Sequence, residues 1–319
     1  MAYGMQGYMG IGKETTWGTP VTAGSFIEMM SEGLTVAIDR FDTRNIFNGI
    51  AEPDDVTGLV RVEGDTVMAA NPETLGLLLN AALGGATTTS VTATYWNHVF
   101  QCRGSDVSSL SPLQPYTVEI FRDVTSAQQY AGCVASQLTL ACQPNQDLRA
   151  TVNWLGKSAL NKSRVAVASV LFPTSPGAPF TWDTCSISVG GTGTDLIESF
   201  TLEINNNLEA VSALNASNTV ARIQRTNPVS TMLSGQMSFT DISAYQDFIN
   251  QTERAFTINF TRAGSFSCLI SLPRCVYTTF PLGMAGRNRI TVGFEAKARV
   301  PTGSLSAIAV TLRNNTIGY

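Results

Sequence analysis

Charge is scarce in this 319-residue sequence. Asp, Glu, Lys and Arg make up 14% of it, where soluble domains average about 25%. A surface so poor in charge is expected to be covered by neighbours, which favours a subunit of an assembly over a free monomer. Histidine is nearly absent. His98 stands alone, so multi-histidine zinc sites are excluded and a Ser–His–Asp triad would rest on one residue. Trp96 and Phe100 flank it in a strand-like run, where a packed or hydrogen-bonded histidine is expected. No CxxC pair occurs among the six cysteines, Cys102, Cys133, Cys142, Cys185, Cys268 and Cys275. Their apolar surroundings predict buried free thiols, not disulfides or a metal site. The longest smooth apolar runs, such as Leu75–Leu83, fall far short of the roughly 20 residues that span a bilayer, so no membrane partner is expected. Met1–Gly12 has neither a basic nor an apolar signal region, which predicts synthesis and retention in a cytoplasm. The sequons at Asn161, Asn215 and Asn250 then carry no meaning. A net charge of −4 argues against a protein built to grip nucleic acid.

What the sequence does have is alternation, and it comes twice. Glu32–Asp39 lines up with Glu198–Asn205 at an offset of 166, both patterned as half-buried strands. Asn71–Leu75 aligns with Asp241–Tyr245 at 170. Asn71 and Asp241 are helix N-caps by type, and Pro72 suits a first helical position. Leu75, Leu78, Leu79 and Ala82 then follow helical spacing, as do Tyr245, Phe248 and Ile249. Tyr116–Arg122 aligns with Phe256–Arg262, and Arg149–Trp154 with Arg289–Phe294, both at 140. The drop in offset places an insertion in the first copy near residues 84–114. Each copy reads as strand, long loop, strand, helix and further strands. The expected division is an N-terminal arm over 1–25, a first unit over 26–170, a linker over 171–179 and a second unit over 180–319. The linker is marked by Pro173, Pro176, Gly177 and Pro179. The loops Arg40–Gly58 and Asn206–Ser230 exceed the usual length inside a domain, so both are expected to fold against a partner.

Several motifs invite a catalytic reading. Gly7–Glu14 nearly matches a P-loop, but Glu14 stands where the magnesium-binding hydroxyl belongs, and too few residues precede it for the buried strand. Gly190–Asp195 is glycine-rich with no helical pattern after it, so it reads as a hairpin turn. The pair Asp54–Asp55 fits a solvated loop or an interface better than acid–base chemistry. No catalytic residue, cofactor or metal is expected.

One stretch is more specific. Gly10-Ile11-Gly12-Lys13-Glu14-Thr15-Thr16-Trp17-Gly18-Thr19-Pro20 resembles the opening of bacteriophage tail tube proteins, G-x-G-K-E-x-x-W-G-T-P. As in that family, it is followed by Phe26-Ile27-Glu28 and by Ser31, Glu32 and Leu34. The resemblance continues through Gly64-Asp65, Leu83-Gly84, Asn97–Phe100, Tyr130–Cys133, Glu198–Asn207 and Ser271–Pro273. It implies a mainly β fold of two tandem β-sandwich domains, each with a flanking α-helix. Their inner strands would join into a ring-wide β-barrel, and rings would stack into a tube that conducts DNA. Six sandwiches per ring is usual in the family, so a two-sandwich chain is expected to close a trimeric ring, the alternative being a hexamer. Implied partners are further copies of the chain, the tape measure protein in the lumen, the tail terminator, distal tail or baseplate proteins, and double-stranded DNA in passage. The implied location is the virion tail, after assembly in the host cytoplasm.

A DNA-conducting lumen should repel phosphate or be neutral, because basic contacts add salt-sensitive affinity. The candidate lumen acids are Glu32, Asp39, Glu63, Asp65, Glu119 and Glu203. Alternation allows only half of any strand to face inward, so some of these must point elsewhere. The ring-stacking candidates are Arg44, Asn45, Phe47, Asp54, Asp55, Leu214, Asn218, Arg222 and Arg225. Lys13, Glu14 and Trp17 are the candidates for contact between the arm and a neighbouring subunit. The competing assignments are another tail ring protein, such as a terminator or baseplate-hub subunit, a carbohydrate-binding β-sandwich or adhesin, and a hydrolase on a β scaffold.

Overall fold

From Arg149 to Gly156 every second residue is buried and those between are half-buried or exposed. The same period of two runs through most strands that follow and produces a mainly β chain, with two α-helices among the described residues. The structure is a computed structural model that describes residues 3–42, 50, 54–165, 169–172, 178–262, 265–284 and 289–319.

The first half contributes β1 (Tyr8–Lys13), β2 (Ser25–Ile27), β3 (Ser31–Glu32), β4 (Thr35–Asp42), β5 (Asp55–Ala69), α1 (Leu75–Leu83), β6 (Ala86–Ser90), β7 (Trp96–Gln101), β8 (Tyr116–Phe121), β9 (Ser126–Cys142), β10 (Arg149–Gly156) and β11 (Ser158–Ser163). The second half contributes β12 (Cys185–Val189), β13 (Thr192–Thr194), β14 (Ile197–Asn205), β15 (Leu208–Val211), β16 (Arg222–Arg225), β17 (Ser230–Ser238), α2 (Ser243–Ile249), β18 (Arg254–Arg262), β19 (Phe266–Thr279), β20 (Thr291–Ala298) and β21 (Ala309–Asn314).

The pairing scheme repeats between the halves. In the first, β2, β1, β8, the start of β9 and β11 pair in that order, while β4, β5, β10 and the end of β9 form a second run. In the second, β13, β12, β18, the start of β19 and β21 answer the first run, and β14, β17, β20 and the end of β19 answer the second. Close packing recurs as well. A Cβ on Gly64, opposite Trp154, would meet the Gly33 carbonyl oxygen at 2.2 Å, and one on Gly235, opposite Phe294, would meet that of Ser199 at 2.2 Å. Neither site admits a side chain, so the bulky ring beside each can seat against bare backbone.

Two strand pairings tie the halves together. β9 pairs along its second edge with β14, so one sheet runs β4–β5–β10–β9–β14–β17–β20–β19 through both halves. The predicted insertion folds as the hairpin β6–β7, and β7 pairs with β21 of the second half. His98 on β7 is fully buried there. One ring nitrogen lies 2.9 Å from the Thr88 hydroxyl, and the other faces the Asn314 Oδ1 and the Thr316 carbonyl at 3.0 and 2.9 Å. It is a packed histidine, and burial lowers its pKa.

The helices begin later than their apparent caps. Asn71 accepts from the Glu73 N–H and Asp241 from the Ser243 N–H, turns that precede Leu75 and Ser243. Pro72 therefore lies in the entry turn. Gly84 ends α1 in the left-handed conformation, its N–H returned to the Asn80 carbonyl. All six cysteines are free, four of them buried.

Candidate functional site

One face of the continuous sheet packs into the core through Val62, Val152, Leu138, Leu140, Leu202 and Phe294, all nearly or fully buried. The opposite face is fixed by the same alternation. Register sets Asp65, Asn153, Gln137 and Asn205 in one row across it. Val67, Thr151, Thr139, Glu203, Met232 and Lys297 form the next. Within these two rows most side chains are amide, hydroxyl or apolar, and Asp65, Glu203 and Lys297 carry charge. At one end it is closed over, because Leu59 and Leu155 pack against the β15–β16 hairpin.

The candidate acids divide by this geometry. Asp39, Glu63, Asp65 and Glu203 share the open face. The Arg61 guanidinium donates to Asp39 at 2.8 Å and to Glu63 at 3.0 Å, whereas Asp65 and Glu203 form no ion pair among the described residues. Glu32 and Glu119 do not belong with them. Glu32 lies opposite the buried Thr66 and takes both arms of Arg122 at 2.6 Å. Glu119 is fully buried in β8, whose every residue is buried. It accepts from the Tyr8 hydroxyl at 2.7 Å and from Lys162 at 3.2 Å. Burial pushes Tyr8 up to about 12, so its hydroxyl keeps its proton for this bond. A strand buried on both faces has no polar side to read from sequence, which is why Glu119 looked like a surface acid. The acids share the face with Arg61, Arg149, Glu295 and Lys297; of these, Arg61 and its ion pairs had no signal apart from alternation.

The first 25 residues are no free arm within the described part. β1 lies between β2 and β8, and the family-like motif is folded inward. Glu14 is 1% exposed and accepts from the Thr117 hydroxyl, the Gly132 N–H and the Gly18 N–H at 2.7, 2.8 and 2.7 Å. The buried Trp17 donates to the Gly132 carbonyl at 3.1 Å, and the Lys157 ammonium stands 4.8 Å over its ring. Of the three arm candidates only Lys13 is exposed.

The loop candidates are also divided. Arg44, Asn45 and Phe47 lie outside the described residues. Asp54 is exposed, and Asp55 pairs with Arg40 at 2.8 Å. The Asn206–Ser230 loop turns back onto the first half, burying Val220 and Ile223 with Trp17, Leu113 and Val134. Arg225 bonds Asp106 and both oxygens of Asn206, and Arg222 is half-buried in β16. Leu214 and Asn218 remain exposed near the tip, with the Asn218 carbonyl accepting from the Val60 N–H.

Among the described residues no group of three or more His, Cys, Asp or Glu could hold a metal ion. No helix among them is long and apolar enough to cross a membrane. No curated protein sequence matches the chain. The family model described as phage tail tube protein matches residues 4–311. The chain therefore belongs to the phage tail tube proteins, and its role is structural and tube-forming, not enzymatic.

Proposed function

We propose that this chain closes trimeric rings of pseudo-sixfold symmetry, and that the rings stack into the hollow tube of the virion tail. Each half, 26–170 and 180–319 across the linker 171–179, acts as one β-sandwich with a flanking helix. The inner strands of all copies join into one barrel. The observation that carries this reading is the β9–β14 pairing, which already joins two units edge to edge within the chain. A repeated unit whose sheet still ends in strand edges is a heterologous building block, and closure removes those edges.

The open face becomes the lumen wall. Asp39, Glu63, Asp65 and Glu203 keep it neutral to acidic, so a DNA duplex slides without being held. Before ejection the same wall encloses the tape measure protein. Terminator and distal tail or baseplate proteins cap the two ends. The exposed tip around Leu214 and Asn218, together with Asp54, makes the ring-to-ring contact, and Lys13 meets a neighbouring subunit.

Negative-stain electron microscopy of the purified protein tests the reading. Hollow rings and indefinite tubes are expected. A monomer persisting at high concentration would overturn it, and single rings that never stack would favour a terminator or hub role.

A further inference from the structure

The two helices are copies of one element in different surroundings. Eight residues of α1 are buried, and none of α2 is. The difference comes from what lies on α1. Asn206, just past β14, donates through its side chain to the Ala82 carbonyl near the helix end, and Tyr319 of the C-terminal tail packs where a Cβ on Gly76 would stand. The second half thus roofs the helix of the first. Nothing among the described residues does the same for α2, where Ile249 is exposed.

The strands carry the matching signal. Val36 pairs with Val62 and Ile38 with Val60, as Leu202 pairs with Leu233 and Ile204 with Thr231. All four point to the core side of the sheet. Leu202 and Ile204 are 0% exposed because Leu140 and Leu138 of β9 lie opposite them, whereas Val36 is 36% and Ile38 51% exposed. On the far side, residues 276–279 at the end of β19 pair only with β20 among the described residues, and the stretch after them leaves Leu282 43% and Met284 77% exposed.

We propose that β4 of a second copy seats along the end of β19 and against α2, burying Val36 and Ile38 as β9 buries Leu202 and Ile204 within the chain. The proposal rests on the ring reading and names its closing contact. The within-chain junction is the template, and the apolar side chains stranded at both free ends are its unmade half. A charge at this contact is desolvated on closure with no partner.

The test uses the full chain with Ile38→Asp, and separately Ile38→Cys with Leu282→Cys treated with a short bismaleimide. Because Ile38 is exposed in the single chain, the Asp variant should keep its circular dichroism spectrum and melting behaviour. Its critical concentration for pelletable polymer should rise at least about tenfold. The double-cysteine protein should give covalent bands of two and three chains that neither single variant gives. Wild-type tubes with normal pelleting of Ile38→Asp and no specific cross-link would overturn this contact while leaving the tube role intact. A wild-type chain that forms neither tubes nor rings would overturn both. If Ile38→Asp misfolds, the cross-link alone decides, for or against.

Discussion

Leu202 of β14 lies directly opposite Leu140 of β9, and both are fully buried. The pair is the centre of the seam between the two halves, where apolar side chains of two repeats are packed as one core. Leu202→Ala should therefore lower unfolding stability by about 2–5 kcal/mol, the usual cost of a cavity at a site that cannot collapse. Denaturant unfolding measures it. A loss below about 1 kcal/mol would mean the seam is loosely packed.

Glu14 is expected to act on stability, not on assembly. Its carboxylate satisfies two backbone N–H groups and a hydroxyl inside the first half. Glu14→Ala leaves these donors unpaired, at about 1–3 kcal/mol for each that stays buried. Glu14→Gln keeps one accepting oxygen and should recover part of the loss. If Glu14→Ala melted like the wild type yet failed to polymerise, the motif would be an intersubunit contact after all.

The open face makes a separate prediction about transport. Asp65→Lys with Glu203→Lys should fold and assemble normally, since neither acid forms an ion pair among the described residues and half-exposed changes of this kind usually stay within about 0.5 kcal/mol. Genome release through such tubes should be slower at low salt, and the difference should shrink as salt screens the added cations. Unchanged release kinetics at low salt would remove the case for a repulsive lumen. Glu119→Lys is the contrast, because a cation placed in that buried site beside Lys162 should prevent folding.

His98 gives a pH dependence with a definite sign. Burial holds its folded pKa below the ordinary 6.5, so the unfolded chain binds the proton more readily. Stability contributed by the neutral ring is fully present above about pH 6.5 and falls as pH drops from there toward the folded value. Melting temperature measured between pH 7 and 5 should decline more steeply for the wild type than for His98→Gln. Parallel curves would show that the ring titrates alike in both states.

The two-unit reading rests on alternation, which survives divergence. Glu32–Asp39 against Glu198–Asn205, and Tyr116–Arg122 against Phe256–Arg262, keep their period even where few residues match. The structure aligns the same strands, with Val36 and Leu202 in equivalent pairs. The change of offset singled out residues 84–114 but not the partner of β7, which lies in that stretch. β7 completes the sheet of the other half through β21, a partner more than 200 residues away, and no local pattern encodes such a pairing. The candidate lumen acids were legible as strand positions only. Period two shows which residues share a face, and burial by other elements decides which face is open.

Sequence by itself determined the family through the motif around Lys13–Pro20 and the β class through alternation, and its ordered offsets supplied the two-unit reading. These are local or self-similar properties, readable along one line of residues. Only the tertiary structure decided that Glu14 and Trp17 are spent inside the fold and that Glu32 and Glu119 are held by Arg122, Tyr8 and Lys162. It also decided that Val36 and Ile38 stand uncovered where Leu202 and Ile204 do not. Each of these depends on which distant strand arrives beside a residue, and that is settled by packing across the whole chain.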